Sequence, residues 1–380
     1  MKRIAYLTLC LALSFSTINP AQAASKIGTS CKRVGMVLPI SGGYLLCTKT
    51  AVGLKYENPP KKPLNSSVAN PDEMEQKVIQ AFNAYDHEAC KGSHRNFIAT
   101  FLTSPGYTTS MLGKQKILFD QAMSCYNNYF DHPVKINVIL LTNNDYEFLA
   151  SQQSDGKPLV DQVQLRWAKF MMDRISSSSS RFAGSAGWSV PNSSAWVLMI
   201  DSTANTSPDS HGAAHEFVHI LQSYSKSIFF PNYGDGSTPA DYVNMPTWFW
   251  EGSGELLSYA SLSKSAVEFS NNMREVRNQA QGAPSLNKIS TNEEVIARFQ
   301  SIEDPNGQEA NYMCYALGSV LSEYILATFG YQKYFEIMKN AGTYRDFNDN
   351  LIQTIGLSKD ELYKQAAPFV LSQWKQNSFN

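Results

Sequence analysis

The sequence predicts an α+β fold, because segments typical of buried strands alternate with segments typical of amphipathic helices. Val134–Thr142 is rich in β-branched residues and is bounded by turn formers, and residues 195–200 repeat this pattern. From Asn70 onward, apolar residues recur at helical spacing after an acidic first turn. The same spacing predicts helices at 116–130 and 160–175 and a helix that begins near Ser210.

Composition excludes several function classes. The chain has 380 residues, of which 43% are hydrophobic, 12% aromatic and 17% charged, with a formal net charge of -1. A near-neutral chain lacks the basic surface that neutralises phosphates, so we expect no nucleic-acid partner. This apolar and aromatic content is that of a folded protein rather than a disordered chain.

The N-terminus predicts export. Lys2 and Arg3 precede a mostly apolar stretch, residues 4–15, and Ala21-Gln22-Ala23 has the small-x-small pattern of a cleavage site. We therefore expect a signal peptide at 1–23 and a mature chain that is secreted or held at the cell surface. No later stretch has the length and apolar character that predict a membrane span in the mature chain.

The cysteine count fits an oxidising compartment. Cys10 lies in the predicted signal peptide, which leaves five cysteines and therefore at least one that has no intramolecular partner. Cys90 and Cys125 lie on neighbouring helix-like segments and could form a disulfide. Cys314 falls on an apolar helix, where a buried thiol is expected.

A small module precedes the main domain. Residues 24–57 contain Cys31 and Cys47 on either side of a glycine-rich segment, which predicts a β-hairpin stapled by a Cys31–Cys47 disulfide. Residues 58–69 include a proline-rich stretch typical of an extended linker. The remaining residues, 70–380, form the predicted main domain.

The helix near Ser210 carries the strongest chemical signal, the H-E-x-x-H pattern from His215 to His219. Residues four apart lie on one face of a helix, so both imidazoles can bind a single ion. Glu216 is placed to accept a proton from a water bound to that ion. Zn²⁺ is the metal typical of this pattern, and it lowers the pKa of its bound water to about 7.

A third ligand is found downstream, where Trp248-Phe249-Trp250-Glu251-Gly252 leads into an Ala-, Leu- and Tyr-rich helix. Glu251 can complete a His-His-Glu zinc set. Glu255, one turn further along the same face, could accept a ring N–H from a zinc-bound histidine and fix its tautomer. The alternative for Glu255 is a solvated helix residue.

These two segments resemble the gluzincins, the thermolysin-like H-E-x-x-H…E metallopeptidases, including collagenase-like and other peptidase MA-like members. The likeness covers roughly residues 130–375. It implies a zincin-type domain, with a small mixed sheet and an active-site helix followed by a mainly helical C-terminal half. It also implies a peptide or protein substrate. The step of 32 residues from His219 to Glu251 would place an inserted loop, residues 225–246, beside the site.

The family resemblance also indicates an oxyanion donor. Several gluzincins have a tyrosine in a Tyr-x-x-Gly-[Ala/Ser] run on a later helix, and here Tyr315-Ala316-Leu317-Gly318-Ser319 matches that run. Tyr315 is the expected donor and Tyr312 the second candidate. A packing role is the alternative for both tyrosines.

The sequence favours a secreted zinc endopeptidase, because it lacks the Gly-x-Met-Glu-Asn run with which aminopeptidase-like members bind a free amino terminus. Two other functions stay open: an inactive peptidase scaffold that binds at the cell surface, and a zinc hydrolase of a non-peptide bond. The presence of Glu216 argues against the inactive scaffold, because a protein without catalytic activity has no chemical need for a base beside the two histidines. His211 could line the substrate cleft or lie near a helix cap.

Overall fold

The computed structural model describes a defined part of the chain, and the predicted signal peptide and linker lie outside it. The described residues are 29–30, 37–40, 43–50, 52–57, 71–84, 90, 96–130, 132–154, 157–160, 162–177, 182–188, 194–202, 211–229, 245–279, 289–303, 308–341, 343–344 and 346–376. The chain divides into two compact units, residues 1–65 and 66–380.

The first unit contains a three-stranded antiparallel sheet. Its strands, β1 (Val37–Ile40), β2 (Gly43–Thr50) and β3 (Gly53–Glu57), pair in sequence order. Cys31 lies outside the described residues, and so does the predicted Cys31–Cys47 disulfide.

The second unit contains a mixed four-stranded sheet in the order β4-β5-β9-β8. The first three of these strands are parallel, and β8 pairs antiparallel with β9 at the edge. A further two-stranded sheet is short. The strands are β4 (Phe97–Thr103), β5 (Val134–Thr142), β6 (Gln153–Ser154), β7 (Lys157–Pro158), β8 (Phe182–Trp188) and β9 (Ala195–Asp201).

Helices make up most of the rest of the second unit. In chain order they are α1 (Pro71–Ala84), α2 (Thr109–Cys125), α3 (Tyr146–Ser151), α4 (Gln162–Ser177), α5 (Gly212–Phe229), α6 (Thr247–Leu262), α7 (Ala266–Gln279), α8 (Asn292–Ser301), α9 (Gln308–Lys339), α10 (Phe347–Ile355) and α11 (Lys359–Gln376). Within α9 the backbone leaves the helical conformation at Gly330, where φ is 78°.

The predicted α+β class, with a small mixed sheet and a mainly helical remainder, is confirmed. Strand β5 has the predicted bounds, and β9 extends one residue beyond them. Helix α2 begins and ends earlier than the predicted 116–130. The expectation that a loop begins at residue 225 is wrong, because α5 continues to Phe229.

Strands β5 and β9 are central and separate two apolar cores. Val138 and Val197 face the larger core, whereas Ile139 and Leu198 face the smaller one beneath α3 and α4. Because both faces are covered there, residues 138–141 of β5 and 195–200 of β9 are continuously apolar rather than alternating.

Helices α6 and α9 approach until their backbones touch. A Cβ atom on Gly252 would lie 2.2 Å from the carbonyl carbon of Gly318, and one on Gly318 would lie 2.2 Å from the Trp248 carbonyl oxygen. Only residues that lack a Cβ allow this approach. The contact fixes α6, which carries Glu251, against α9, which carries Tyr315.

A buried hydrogen-bond chain holds the N-terminal end of α6. Trp248, which is fully buried, donates from its indole nitrogen to the Tyr363 hydroxyl at 2.8 Å. That hydroxyl donates in turn to Glu303 at 2.9 Å. Lys359 forms an ion pair with the same glutamate, so α6 is tied to α11.

The cysteine predictions have two outcomes among the described residues. Cys90 and Cys125 form a disulfide, so the pairing that the sequence allows for these two cysteines is confirmed. Cys314 is a free and fully buried thiol, as expected, and burial raises its pKa.

One described helical segment, Tyr312–Lys339, is long and apolar enough to cross a membrane by length and composition, contrary to the sequence expectation. However, 72% of its most apolar window is buried inside the protein. The segment therefore has the surroundings of a core helix.

Replacement of Gly252 by alanine should destabilise the fold, because the added methyl group forces α6 and α9 apart. Overpacking of this kind costs about 1–3 kcal/mol. Gly113→Ala is the matched control, since Gly113 is an exposed residue of α2 with nothing within 4 Å of a Cβ. The Gly113→Ala replacement should raise the free energy of unfolding by about 0.5–1 kcal/mol, because glycine disfavours a helix interior. Urea unfolding of both variants measures the difference, and equal effects would contradict the backbone contact.

Candidate metal centre

Two helices bring the three predicted ligands together. His215 and His219 lie one turn apart on α5, and Glu251 lies on α6. The Glu251 Oε2 atom is 3.2 Å from His215 Nε2 and 3.6 Å from His219 Nε2. The histidine side chains are each 7% exposed and that of Glu251 is 18% exposed, so the cluster is buried except on the Glu251 side.

These separations suit a metal ion. Ligand atoms at 2.0–2.2 Å from a tetrahedral zinc lie roughly 3.3 Å from one another. The distances of 3.2 and 3.6 Å from Glu251 Oε2 to the two Nε2 atoms lie close to that value. The described residues thus contain a buried His-Glu group that could hold a metal.

The other ring nitrogens of the two histidines have different partners. His215 Nδ1 lies 3.4 Å from a Glu255 carboxylate oxygen. His219 Nδ1 lies 2.6 Å from the side-chain oxygen of Gln222. A proton on each Nδ1 would leave the Nε2 atom of a neutral imidazole able to bind an ion beside Glu251, which is the tautomer that a metal ligand needs.

Glu216 lies beside the ligand set. Its carboxylate and the ring nitrogens of His215 and His219 are all within 4.8 Å of one another. The side chain is buried, and among the described residues nothing donates a hydrogen bond to its Oε2 atom. A buried polar atom without a partner indicates a missing ligand such as a water or an ion.

Glycines make room for these side chains. A Cβ on Gly184, in edge strand β8, would lie 2.4 Å from Glu216 Oε1. A Cβ on Gly254, in α6, would lie 2.5 Å from His215 Cε1. Both positions therefore have to lack a side chain if the two site residues are to keep their places.

The three buried carboxylates of the site differ in the direction in which their pKa values are shifted. Burial alone would raise the pKa of Glu251, but the adjacent His215 and His219 lower it to about 2. Glu255 behaves in the same way, because the histidines beside it outweigh its burial and lower its pKa. For Glu216 burial prevails and raises the pKa. A carboxylate with a raised pKa is better suited to accept a proton near neutral pH.

Tyr315 lies at the site. Its ring stacks on His215 with centroids 5.9 Å apart, and its hydroxyl is close enough to Glu251 to feel the charge of that carboxylate. Burial raises the pKa of Tyr315, and the charges of the nearby glutamates add to this effect. The hydroxyl therefore keeps its proton and remains a hydrogen-bond donor.

His211 is buried, which differs from a residue lining an open cleft. Its Nε2 atom lies 3.5 Å from Glu255 Oε2, and its ring stacks on Tyr259 with centroids 4.7 Å apart. His211, His215 and Glu255 form a second group whose ligand atoms lie within 4.8 Å of one another. Glu255 thus lies between two histidines rather than on a solvated helix face.

The sequence predicts no role for Gln222, Gly184 or Gly254. Gln222 lies three residues after His219 on the same helix, and this spacing could have indicated a contact. The two glycines carried no signal, because the side chains they accommodate come from other elements of the fold.

Comparison with known proteins adds no identification: no family model, curated protein or solved structure matches the chain.

The two glycines next to the site should have separable effects. Gly254→Ala pushes the His215 ring away, so bound zinc per chain should fall after equilibration at a fixed free zinc concentration. Gly184→Ala pushes only the Glu216 carboxylate, so bound zinc should stay as in the wild type. Metal content by mass spectrometry, beside thermal unfolding to check the fold, makes the measurement. Loss of zinc in both variants, or in neither, would contradict the assignment.

Proposed function

We propose that the chain is a zinc-dependent endopeptidase of the gluzincin type. The observation that carries the proposal is the convergence of His215, His219 and Glu251 with the Glu216 carboxylate beside them. The H-E-x-x-H…E pattern and the α+β architecture with a mixed sheet support the same conclusion.

His215, His219 and Glu251 would hold the zinc ion. Two neutral imidazoles and one carboxylate are a donor set typical of catalytic zinc sites, which keep a further position open for substrate. When bound, Zn²⁺ supplies a Lewis acid that polarises a carbonyl group and lowers the pKa of coordinated water.

Glu216 would act as the general base. Its Oε2 atom is buried next to the ligands and lacks a donor among the described residues, so it is available to take a proton from the attacking water. The same atom can then deliver the proton to the leaving amine. The raised pKa of Glu216 makes it a stronger base than a solvated glutamate.

Tyr315 would stabilise the oxyanion of the tetrahedral intermediate. Its ring stacks on His215 and its hydroxyl keeps its proton. A donor directed at the developing negative charge favours the transition state over the planar ground state. These contacts favour Tyr315 over Tyr312.

A peptide is the substrate class that the surroundings of the site favour. Strand β8 is the edge strand of the four-stranded sheet, and its Gly184 lies against Glu216. The outer backbone groups of an edge strand can pair with an extended peptide. A peptide added to that edge would run past the proposed base. Export fits this function, and the Cys90–Cys125 disulfide supports an oxidising compartment.

Glu216→Gln should separate catalysis from metal binding. The amide keeps the shape but accepts no proton, so kcat should fall by about 10²–10⁴-fold while zinc remains at one ion per chain. His219→Ala should lose the zinc itself. Both are measured by metal content and by cleavage of a peptide library with a chelator control. Undiminished hydrolysis by Glu216→Gln would remove Glu216 as the base. A wild type that binds zinc but cleaves no peptide would favour a non-peptide substrate or a binding role.

Tyr315→Phe should lower kcat far more than it raises KM, because the lost donor acts in the transition state. The expected loss in kcat is about 10²–10³-fold. Tyr312→Phe is the matched control and should leave kcat near that of the wild type. A larger loss for Tyr312→Phe than for Tyr315→Phe would transfer the role to Tyr312.

A further inference from the structure

Gln222 connects His219 to the helix that carries Glu251. The glutamine is fully buried on α5, and its Oε1 atom lies 2.6 Å from His219 Nδ1. Its Nε2 atom donates to the backbone carbonyl of Trp250 at 2.9 Å. Trp250 directly precedes Glu251 on α6.

These contacts determine the tautomer of His219. A backbone carbonyl can only accept, so the amide nitrogen of Gln222 must face Trp250 and the amide oxygen must face His219. An oxygen at Nδ1 requires the imidazole to donate from that atom. A proton therefore resides on Nδ1, so in the neutral imidazole Nε2 is the atom whose lone pair can bind a metal.

Trp250 also fixes the plane of the ring. Its indole stacks on the His219 imidazole with centroids 4.6 Å apart and an interplanar angle of 8°. Gln222 restrains rotation within the ring plane, and Trp250 restrains tilting out of it. The His219 ring is thereby restrained in two independent directions.

We propose that Gln222 and Trp250 are positioning residues, which hold His219 with Nε2 directed at the metal and couple its orientation to that of Glu251. This inference rests on the proposed metal site and adds to it the residues that preorganise one ligand. A well-placed outer contact raises affinity because the ligand need not be reoriented on binding.

The test uses the full mature chain, with zinc affinity measured by competition with a chromophoric chelator. Gln222→Met removes both hydrogen bonds at similar volume and should weaken zinc binding about 10–100-fold. It should also alter the visible absorption of the Co²⁺-substituted protein, because the ligand geometry changes. Gln222→Glu keeps an acceptor at His219 Nδ1 but loses the donor to the Trp250 carbonyl, so its zinc affinity should lie between those of Gln222→Met and the wild type.

Gln121→Met is the matched control. Gln121 lies on α2 and donates to the Ser261 carbonyl of α6 at 2.8 Å, so it makes a similar helix-to-helix contact away from the ligands. A purely structural effect would change zinc affinity equally in both variants. We expect a change for Gln222→Met alone. If Gln222→Met does not fold, Trp250→Leu tests the positioning role instead, and its zinc affinity should fall about 10-fold.

The possible outcomes distinguish failure of the positioning role from failure of the proposed metal site. Zinc affinity of folded Gln222→Met within threefold of the wild type, with an unchanged Co²⁺ spectrum, would overturn the positioning role and leave the site intact. The same result for Trp250→Leu would overturn it where Gln222→Met fails to fold. A wild type that binds neither Zn²⁺ nor Co²⁺ would overturn the proposed site and this inference with it.

Discussion

The backbone contact between α6 and α9 determines where the side chains of the site can lie. Glu251 directly precedes Gly252, and Tyr315 lies one turn before Gly318. Because these glycines touch, the candidate ligand and the candidate donor lie at the same height along the two packed helices. The hydrogen bond from Trp248 to Tyr363 fixes the same end of α6 from another direction. Helix α6 is therefore held by the fold, and Glu251 reaches both histidines without relying on an ion.

Burial of charge is the cost that this arrangement has to offset. A carboxylate removed from water is stable only when it is paired or binds a cation. Histidines meet this need for Glu251 and Glu255, whose pKa values are lowered. The raised pKa of Glu216 marks it as the carboxylate that is least compensated. A divalent cation between the ligands would supply the charge that this cluster lacks.

Local spacing explains why much of the site could be predicted from sequence. A turn of helix fixes the relation of His215 to His219, and the run around Glu251 indicated the third ligand. The placement of Glu255 beside His215 also agrees with its predicted neighbourhood. These relations lie within one helix or follow a recognisable motif, and the rest of the fold has little influence on them.

Strands β4 and β8 were not predicted, because their sequences lack a local pattern of this kind. β8 reads Phe-Ala-Gly-Ser-Ala-Gly-Trp, and glycine and alanine are depleted in strands. It forms a strand because tertiary packing requires small residues there: Gly184 faces Glu216, and a Cβ on Gly187 would lie 2.7 Å from the Trp196 ring. In β4, the exposed Ile98 disturbs the alternation that marks a half-buried strand.

Charge balance gives a reason for the different partners of the two histidines. Glu251, Glu255 and an ionised Glu216 carry three negative charges around the histidines, one more than the charge of a divalent ion. A carboxylate at position 222 would add a fourth and would face the Trp250 carbonyl oxygen, to which the Gln222 amide donates. The amide fixes the His219 tautomer as a carboxylate would, yet adds no charge and bonds to α6. A neutral amide at position 222 would therefore let a bound ion keep more of its ability to polarise a substrate carbonyl, since each added negative ligand charge weakens a Lewis acid.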